Sequence, residues 1–169
     1  VHLNVASAVN VDKNNSFGFS VSVENMENVK SDIMNVGIGT SQVLPVLVSV
    51  LLSEPGETLI FEQPELHLHP YSQSRLADMF VEFCKSGRKI ILETHSDYFL
   101  LRLRYQIVKE NISNECVAVN FFQNSGGTKV TFANISGFGN IEYPEDFKDE
   151  TQELLNAILE ASLERKGLL

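Results

Sequence analysis

Apolar and polar residues alternate with a period of two over residues 17–23, Phe-Gly-Phe-Ser-Val-Ser-Val. Phe17, Phe19, Val21 and Val23 share one side and Gly18, Ser20 and Ser22 the other, the pattern of a half-buried strand. A polar stretch from Glu24 to Asn35 leads to a glycine-bearing segment, Val36-Gly-Ile-Gly-Thr-Ser-Gln42, and then to the longest apolar run, Val43 to Leu52. That run predicts a helix, with hydroxyl residues ahead of it available as N-caps and Pro45 near its first turn, where proline is tolerated. Glu54-Pro-Gly-Glu57 ends it.

From there strand and helix alternate: strand Thr58 to Glu62, helix from about Pro70 to Lys85, strand Lys89 to Glu93, helix from Ser96 to about Lys109. The strands read as continuous apolar runs, Leu-Ile-Phe and Ile-Ile-Leu, which argues for parallel strands covered on both faces. The expected fold class is α/β, a largely parallel sheet with flanking helices. A second register begins near Glu115: Cys116 to Gln123 and Lys129 to Ile135 flank Asn124-Ser-Gly-Gly-Thr, a turn signal that predicts a β-hairpin. Beyond a looser stretch, Ser136 to Asp149, residues Leu154, Leu155, Ile158, Leu159 and Leu163 fall at helical spacing and predict a terminal amphipathic helix.

Composition narrows the function classes. The 169 residues carry 13 Lys and Arg against 22 Asp and Glu, a net charge of -9, with 43% hydrophobic residues. The apolar fraction suffices for a core. The acidic balance disfavours direct DNA binding by this segment alone, because nucleic-acid affinity rests on Lys and Arg neutralising phosphates. Two cysteines, Cys84 and Cys116, without CxxC spacing fit a reducing, cytoplasmic compartment. The ten-residue run Val43 to Leu52 is well short of the roughly 20 residues that span a bilayer, so no membrane partner is expected.

The most informative stretch is Thr58-Leu-Ile-Phe-Glu-Gln-Pro-Glu-Leu-His-Leu-His-Pro70, an apolar strand ending in polar carboxyl and amide residues, where α/β folds bind ligands. It resembles the Walker B strand of ATP-binding-cassette-type P-loop ATPases, including the Old-nuclease, RecF and SMC-like members. Three neighbours match that family in order. Gly37-Ile-Gly-Thr-Ser-Gln42 resembles the signature segment, Leu66 to Pro70 takes the place of the D-loop, and Ile90-Ile-Leu-Glu-Thr-His-Ser96 resembles the switch-histidine strand. Together they cover roughly residues 36 to 100.

The resemblance implies the C-terminal lobe of a P-loop NTPase over residues 1–110, with a C-terminal extension, 111–169, packed on the same lobe. Gly37, Gly39, Thr40, Ser41 and Gln42 would cap the γ-phosphate of a nucleotide held by another lobe, which suits exposed backbone N–H groups at a helix start. Glu62 would support Mg²⁺ through a water, and His95 would sense the γ-phosphate. The cofactors implied are ATP and Mg²⁺, in a homodimer formed through ATP. Val117 to Phe122, Gly126 to Val130 and Ile141 to Glu150 further resemble an uncharacterised domain that follows the switch histidine in a group of prokaryotic ATPases, some suspected of roles in phage defence or DNA metabolism.

Two departures limit the mechanism. None of the eight lysines directly follows a glycine, so the phosphate-cradling P-loop is missing from these residues. A P-loop lobe is expected to precede Val1 in the native polypeptide, and this segment alone is expected to be inactive. Secondly, the family's Asp-Glu pair is Glu62-Gln63 here. Gln63 cannot accept a proton, but it could orient water, as the glutamine of small GTPases does with slow turnover. Alternatively Glu65 could supply the carboxylate if the chain turns at Pro64. Slow hydrolysis, or a non-hydrolysing nucleotide-responsive scaffold, follows, with an effector protein or nucleic acid as partner of the whole protein.

Lesser candidates are weighed against blander roles. His67 and His69 with nearby carboxylates invite a zinc or manganese site, although short His-x-His pairs in loops are commonly capping residues. Arg102 and Arg104 could reach a phosphate, yet their leucine-rich surroundings favour a supporting surface role. Phe121, Phe122, Phe132 and Phe138 could stack bases, but alternation favours core packing. Glu142 to Glu150 reads as a solvated acidic face.

Overall fold

A computed structural model describes residues 5–14, 18–124, 126–144 and 150–166. The chain divides into two compact units, Val1–Ile112 and Ser113–Leu169.

In the first unit, β1 (Ala8–Asn14), β2 (Gly18–Glu24) and β3 (Lys30–Asp32) form an antiparallel sheet in sequence order. Ala8 lies opposite Glu24 and Asn14 opposite Gly18. The helix α1 (Ile38–Leu52) follows. Then β4 (Thr58–Glu62), α2 (Pro70–Lys85), β5 (Lys89–Glu93) and α3 (Asp97–Val108) build the α/β core. In it β4 and β5 pair in parallel, from Thr58 opposite Lys89 to Glu62 opposite Glu93. Their inward residues Leu59, Phe61, Ile90 and Leu92 pack on a buried cluster of Val43, Val50, Leu68, Leu76, Ala77, Phe80 and Phe99. Phe61 stacks on Phe80 at 5.4 Å between ring centroids, and Phe99 meets Phe80 edge-on at 5.9 Å.

The mixed α/β character holds, but the described strands form three small sheets, and among the described residues only β4 and β5 pair in parallel. Parallel pairing needs a crossover of a dozen or more residues, and only the β4–α2–β5 passage provides one between paired strands. Three residues separate β1 from β2, which confines them to an antiparallel pair. Strand β1, whose apolar residues are few, and β3, inside the stretch expected to be an irregular crossing, are additions to the expected elements. Phe17 lies outside the described residues. Phe19 is exposed while Val23 is buried, so β2 is covered only toward its end.

Helix α1 starts five residues earlier than the apolar run implies. Gly37 is its N-cap and no side chain caps it; the Ser41 hydroxyl instead bonds back to the Ile38 carbonyl at 2.9 Å. Pro45 therefore lies inside the helix rather than in its first turn, leaving the Ser41 carbonyl without its usual amide donor. Helix α2 runs over the expected residues, and α3 starts at Asp97, with Ser96 as its cap accepting from the Phe99 amide at 3.0 Å.

The second unit contains the expected hairpin, β6 (Val119–Asn124) with β7 (Thr128–Ala133), paired from Val119 opposite Ala133 to Asn124 opposite Thr128. Cys116 sits in a short 3-10 turn ahead of it rather than in a strand. The terminal helix α4 (Glu150–Arg165) forms as expected. Its Leu154, Leu155, Ile158 and Leu159 are exposed. Phe122, Phe132 and Phe138 are exposed too, Phe132 by 81%, which overturns the expectation of core packing. Alternation places Phe122 and Phe132 on one face of a two-stranded sheet, and no described element covers that face. Phe121, on the other face, meets Tyr143 at 5.4 Å.

Candidate functional site

Because β4 and β5 are parallel and in register, they end together, and their carboxyl ends bring the chemistry-bearing residues to one edge. Glu62 and Glu93, as register partners, share the exposed face with Ile60 and Ile91. The ladder continues one step: the Gln63 amide donates to the Glu93 carbonyl at 2.9 Å. Gln63 then adopts a left-handed φ of 43° and turns the chain away from the strand. Such a conformation in a residue with a Cβ costs on the order of 1–3 kcal/mol and recurs at functional sites.

The turn aims the Gln63 side chain at β5. Its Nε2 donates to Glu93 Oε1 at 3.2 Å, and His95 Nε2 lies 3.0 Å from that same oxygen. The His95 side chain is 79% exposed. Glu62, Gln63 and His95 are thus assembled at one sheet end around Glu93, which sequence reasoning did not single out. Its signal was present: aligning two five-residue parallel strands end to end places Glu93 opposite Glu62.

Glu65 is placed differently. The chain does turn at Pro64, with the Leu66 amide on the Gln63 carbonyl at 3.1 Å and the Leu68 amide on the Glu65 carbonyl at 3.0 Å. That turn folds Glu65 inward, 4% exposed, where Oε1 accepts from the Thr94 hydroxyl at 2.5 Å and Oε2 is buried without a hydrogen-bond partner. The carboxylate pins the segment after β4 to the segment after β5 instead of joining Glu62 at the exposed edge. A second tie runs beside it. The Ser96 hydroxyl donates to Gln73 Oε1 at 2.5 Å, and Gln73 Nε2 donates to the Leu68 carbonyl at 2.9 Å.

The glycine segment forms the first turn of α1. Gly37 is exposed, with nothing within 4 Å of a Cβ built on it. Gly39 is buried, and a Cβ there would sit 2.5 Å from the His67 carbonyl oxygen. The helix start thus rests directly on the loop after β4. Thr40 and Ser41 are half-buried, their amides turned to the Gly37 carbonyl, and Gln42 is exposed. His69 caps α2, its Nδ1 accepting from the Tyr71 amide at 3.3 Å, and His67 is exposed with a left-handed φ of 64°. Of the His67–His69 pair, His69 takes the capping role weighed against a metal site, and among the described residues no three His, Cys, Asp or Glu gather as one.

Arg102 has a supporting role, exercised through a buried partner rather than by covering leucines at the surface. Its Nε and Nη2 bond the buried Asp78 at 2.6 and 3.0 Å, Arg75 Nη1 reaches Asp78 at 2.9 Å, and the Gln106 amide donates to it as well. Burial pushes the Asp78 carboxyl up, but the hydrogen bonds from Arg102, Arg75 and Gln106 outweigh it and hold the group below its ordinary range. This cluster bolts α2 to α3 and holds the helix that follows His95.

Ten solved chains are similar to this one in fold, among them two SMC proteins. One comes from work on ATP-driven dimerisation and DNA-stimulated activation of SMC ATPases; it is 15% identical, with a TM-score of 0.60 over 92% of this chain and 84% of that one. The other is the Smc head domain with an extended coiled coil from Pyrococcus furiosus, bound to the C-terminal domain of ScpA, 13% identical with a TM-score of 0.53. The alignment there covers 92% of this chain and 35% of that one. No curated protein matches. Residues 5–102 match the family model described as "AAA domain, putative AbiEii toxin, Type IV TA system", a span holding every site residue above. The chain therefore belongs to this family of AAA ATPase domains.

Proposed function

We infer that the chain is the signature-, Walker B- and switch-bearing lobe of an ABC-class ATPase, which binds MgATP together with a P-loop lobe of its own polypeptide and hydrolyses it slowly in a homodimer. The observation that carries this reading is the assembly of Glu62, Gln63 and His95 at the carboxyl ends of two in-register parallel strands. A second feature supports the split site. Parallel sheets are normally covered on both faces, yet Ile60 and Ile91 are 70% and 57% exposed on the face that leads to Glu62 and Glu93. A P-loop lobe would cover that face.

The donor set fits Mg²⁺, which takes one or two carboxylates and completes its shell with water and substrate phosphates. Glu62 is the exposed carboxylate at the strand end. The bound ion would neutralise charge on the transferring phosphoryl group. Gln63 would orient the attacking water, His95 would hydrogen-bond the γ-phosphate, and the side-chain-free cap of α1, from Gly37 to Gln42, would meet the phosphate of a nucleotide on the partner protomer. The dimer is further supported by likeness to an SMC chain studied for ATP-driven dimerisation. Residues 1–110 would form this lobe and 111–169 an extension carrying the output to an effector protein or nucleic acid, in the cytoplasm, in phage defence or DNA metabolism.

The test is made on the full native polypeptide. ATP should drive dimerisation measured by light scattering, and Glu62→Gln and His95→Ala should each slow single-turnover phosphate release by about 100-fold. If Gln63→Glu left the rate unchanged while Glu65→Gln abolished it, the water-orienting role of Gln63 would be wrong. The amide at Gln63 favours a second reading, a scaffold that dimerises on ATP without turnover. ATP-dependent dimers that release no phosphate would establish that reading instead.

A further inference from the structure

Hydrolysis at this site would be sped by a group that takes the proton of the attacking water, and the usual position holds an amide, which has no basic lone pair to offer. Glu65 is buried and engaged by Thr94. His95, whose Nε2 lies 3.0 Å from Glu93 Oε1, is taken by the γ-phosphate in the reading above. Glu93 remains. Its carboxylate is half exposed, lies in register with Glu62, and receives the Gln63 amide on Oε1. The Gln63 amide donates to it, and His95 Nε2 lies 3.0 Å from the same oxygen, so the carboxylate is held at the strand end.

We propose that Glu93 is the catalytic base of the ATPase reaction, a carboxylate displaced by one strand from the end of β4 to the end of β5. This rests on the reading of the chain as an ATPase lobe. In the step, the water oxygen bonds the γ-phosphorus as its proton passes to Glu93. The bond from the γ-phosphorus to the β–γ bridging oxygen breaks, and its electron pair leaves with ADP. Glu93 then returns the proton to the phosphate product or to solvent. Gln63 acts as a positioning residue that holds the carboxylate by its Oε1, leaving Oε2 for the water.

The experiment uses the full native polypeptide, with two readouts: ATP-dependent dimerisation by light scattering and single-turnover phosphate release. Glu93→Gln keeps the shape of the side chain. It should still form the ATP-bound dimer while slowing phosphate release by about 100-fold or more. The double variant Q63E/E93Q, which moves the carboxylate back to the end of β4, should recover release to within about tenfold of wild type. Near wild-type release by E93Q overturns the proposal. So does an unrecovered double variant that still forms the ATP-bound dimer, which would make Glu93 a support for its neighbours. Failure of the wild-type protein to bind ATP overturns the underlying reading instead, and shows before any variant is made.

Discussion

A methyl group on Gly39 would sit 2.5 Å from the His67 backbone oxygen, whereas one on Gly37 would meet nothing within 4 Å. Two glycines that look alike in the sequence therefore do different work. Gly39 lets the first turn of α1 rest on the loop after β4, and Gly37 leaves the helix start open. Gly39→Ala should destabilise the protein by about 1–3 kcal/mol, because backbone rather than a flexible side chain must give way. Gly37→Ala should stay within about 0.5 kcal/mol. Urea denaturation of both variants checks the pair, and equal losses would show that the close approach at Gly39 is not what matters. At the same scale, spacing alone leaves the direction of the Glu65 side chain open. The turn at Pro64 was legible, but whether it swung the carboxylate outward or inward depended on Thr94, 29 residues away.

At the scale of elements, the strongest polar tie between α2 and α3 is the Asp78 cluster. Its folded carboxyl lies below the ordinary range, so its stabilisation is present above the unfolded value of about 3.9 and is lost as pH falls through the folded value. Asp78→Asn leaves the buried side of Arg102 without its charge partner and should cost about 3–5 kcal/mol near neutral pH. The loss should shrink below about pH 4, where the wild-type carboxyl also takes up a proton. Melting temperatures across that range measure it; a loss that does not change with pH would exclude the charge as its origin. The elements themselves were readable where pattern and packing agree. β4, α2 and β5 were expected over the residues they occupy, since each is a short apolar run or amphipathic stripe bounded by Pro, Gly or charged residues. Helix α1 begins five residues ahead of its apolar run because its first turn is polar and glycine-containing, and that turn rests on the loop after β4.

For the whole molecule, the informative surface is the uncovered face of the parallel pair. If a P-loop lobe covers it, Ile60→Lys with Ile91→Lys should leave this 169-residue chain folded with little change in stability, since both positions are exposed here. In the full native polypeptide the same pair should cost several kcal/mol and abolish ATP binding, because two charges would enter a core without partners. Circular dichroism melting of the two proteins and nucleotide binding by the longer one make the comparison. Equal tolerance in both would mean that nothing covers this face.

What the sequence alone determined is local. The order of strands and helices from α1 to α3, the hairpin and terminal helix, and the placement of Glu62, Gln63 and His95 at element ends follow from periodicity and breakers within about ten residues of each position. Tertiary structure decided which of those ends meet. Parallel register set Glu93 beside Gln63 and His95, a long-range hydroxyl drew Glu65 inward, and a buried carboxylate claimed Arg102. Such pairings depend on residues distant in the chain, whose partners are chosen by strand register and burial rather than by spacing along the sequence.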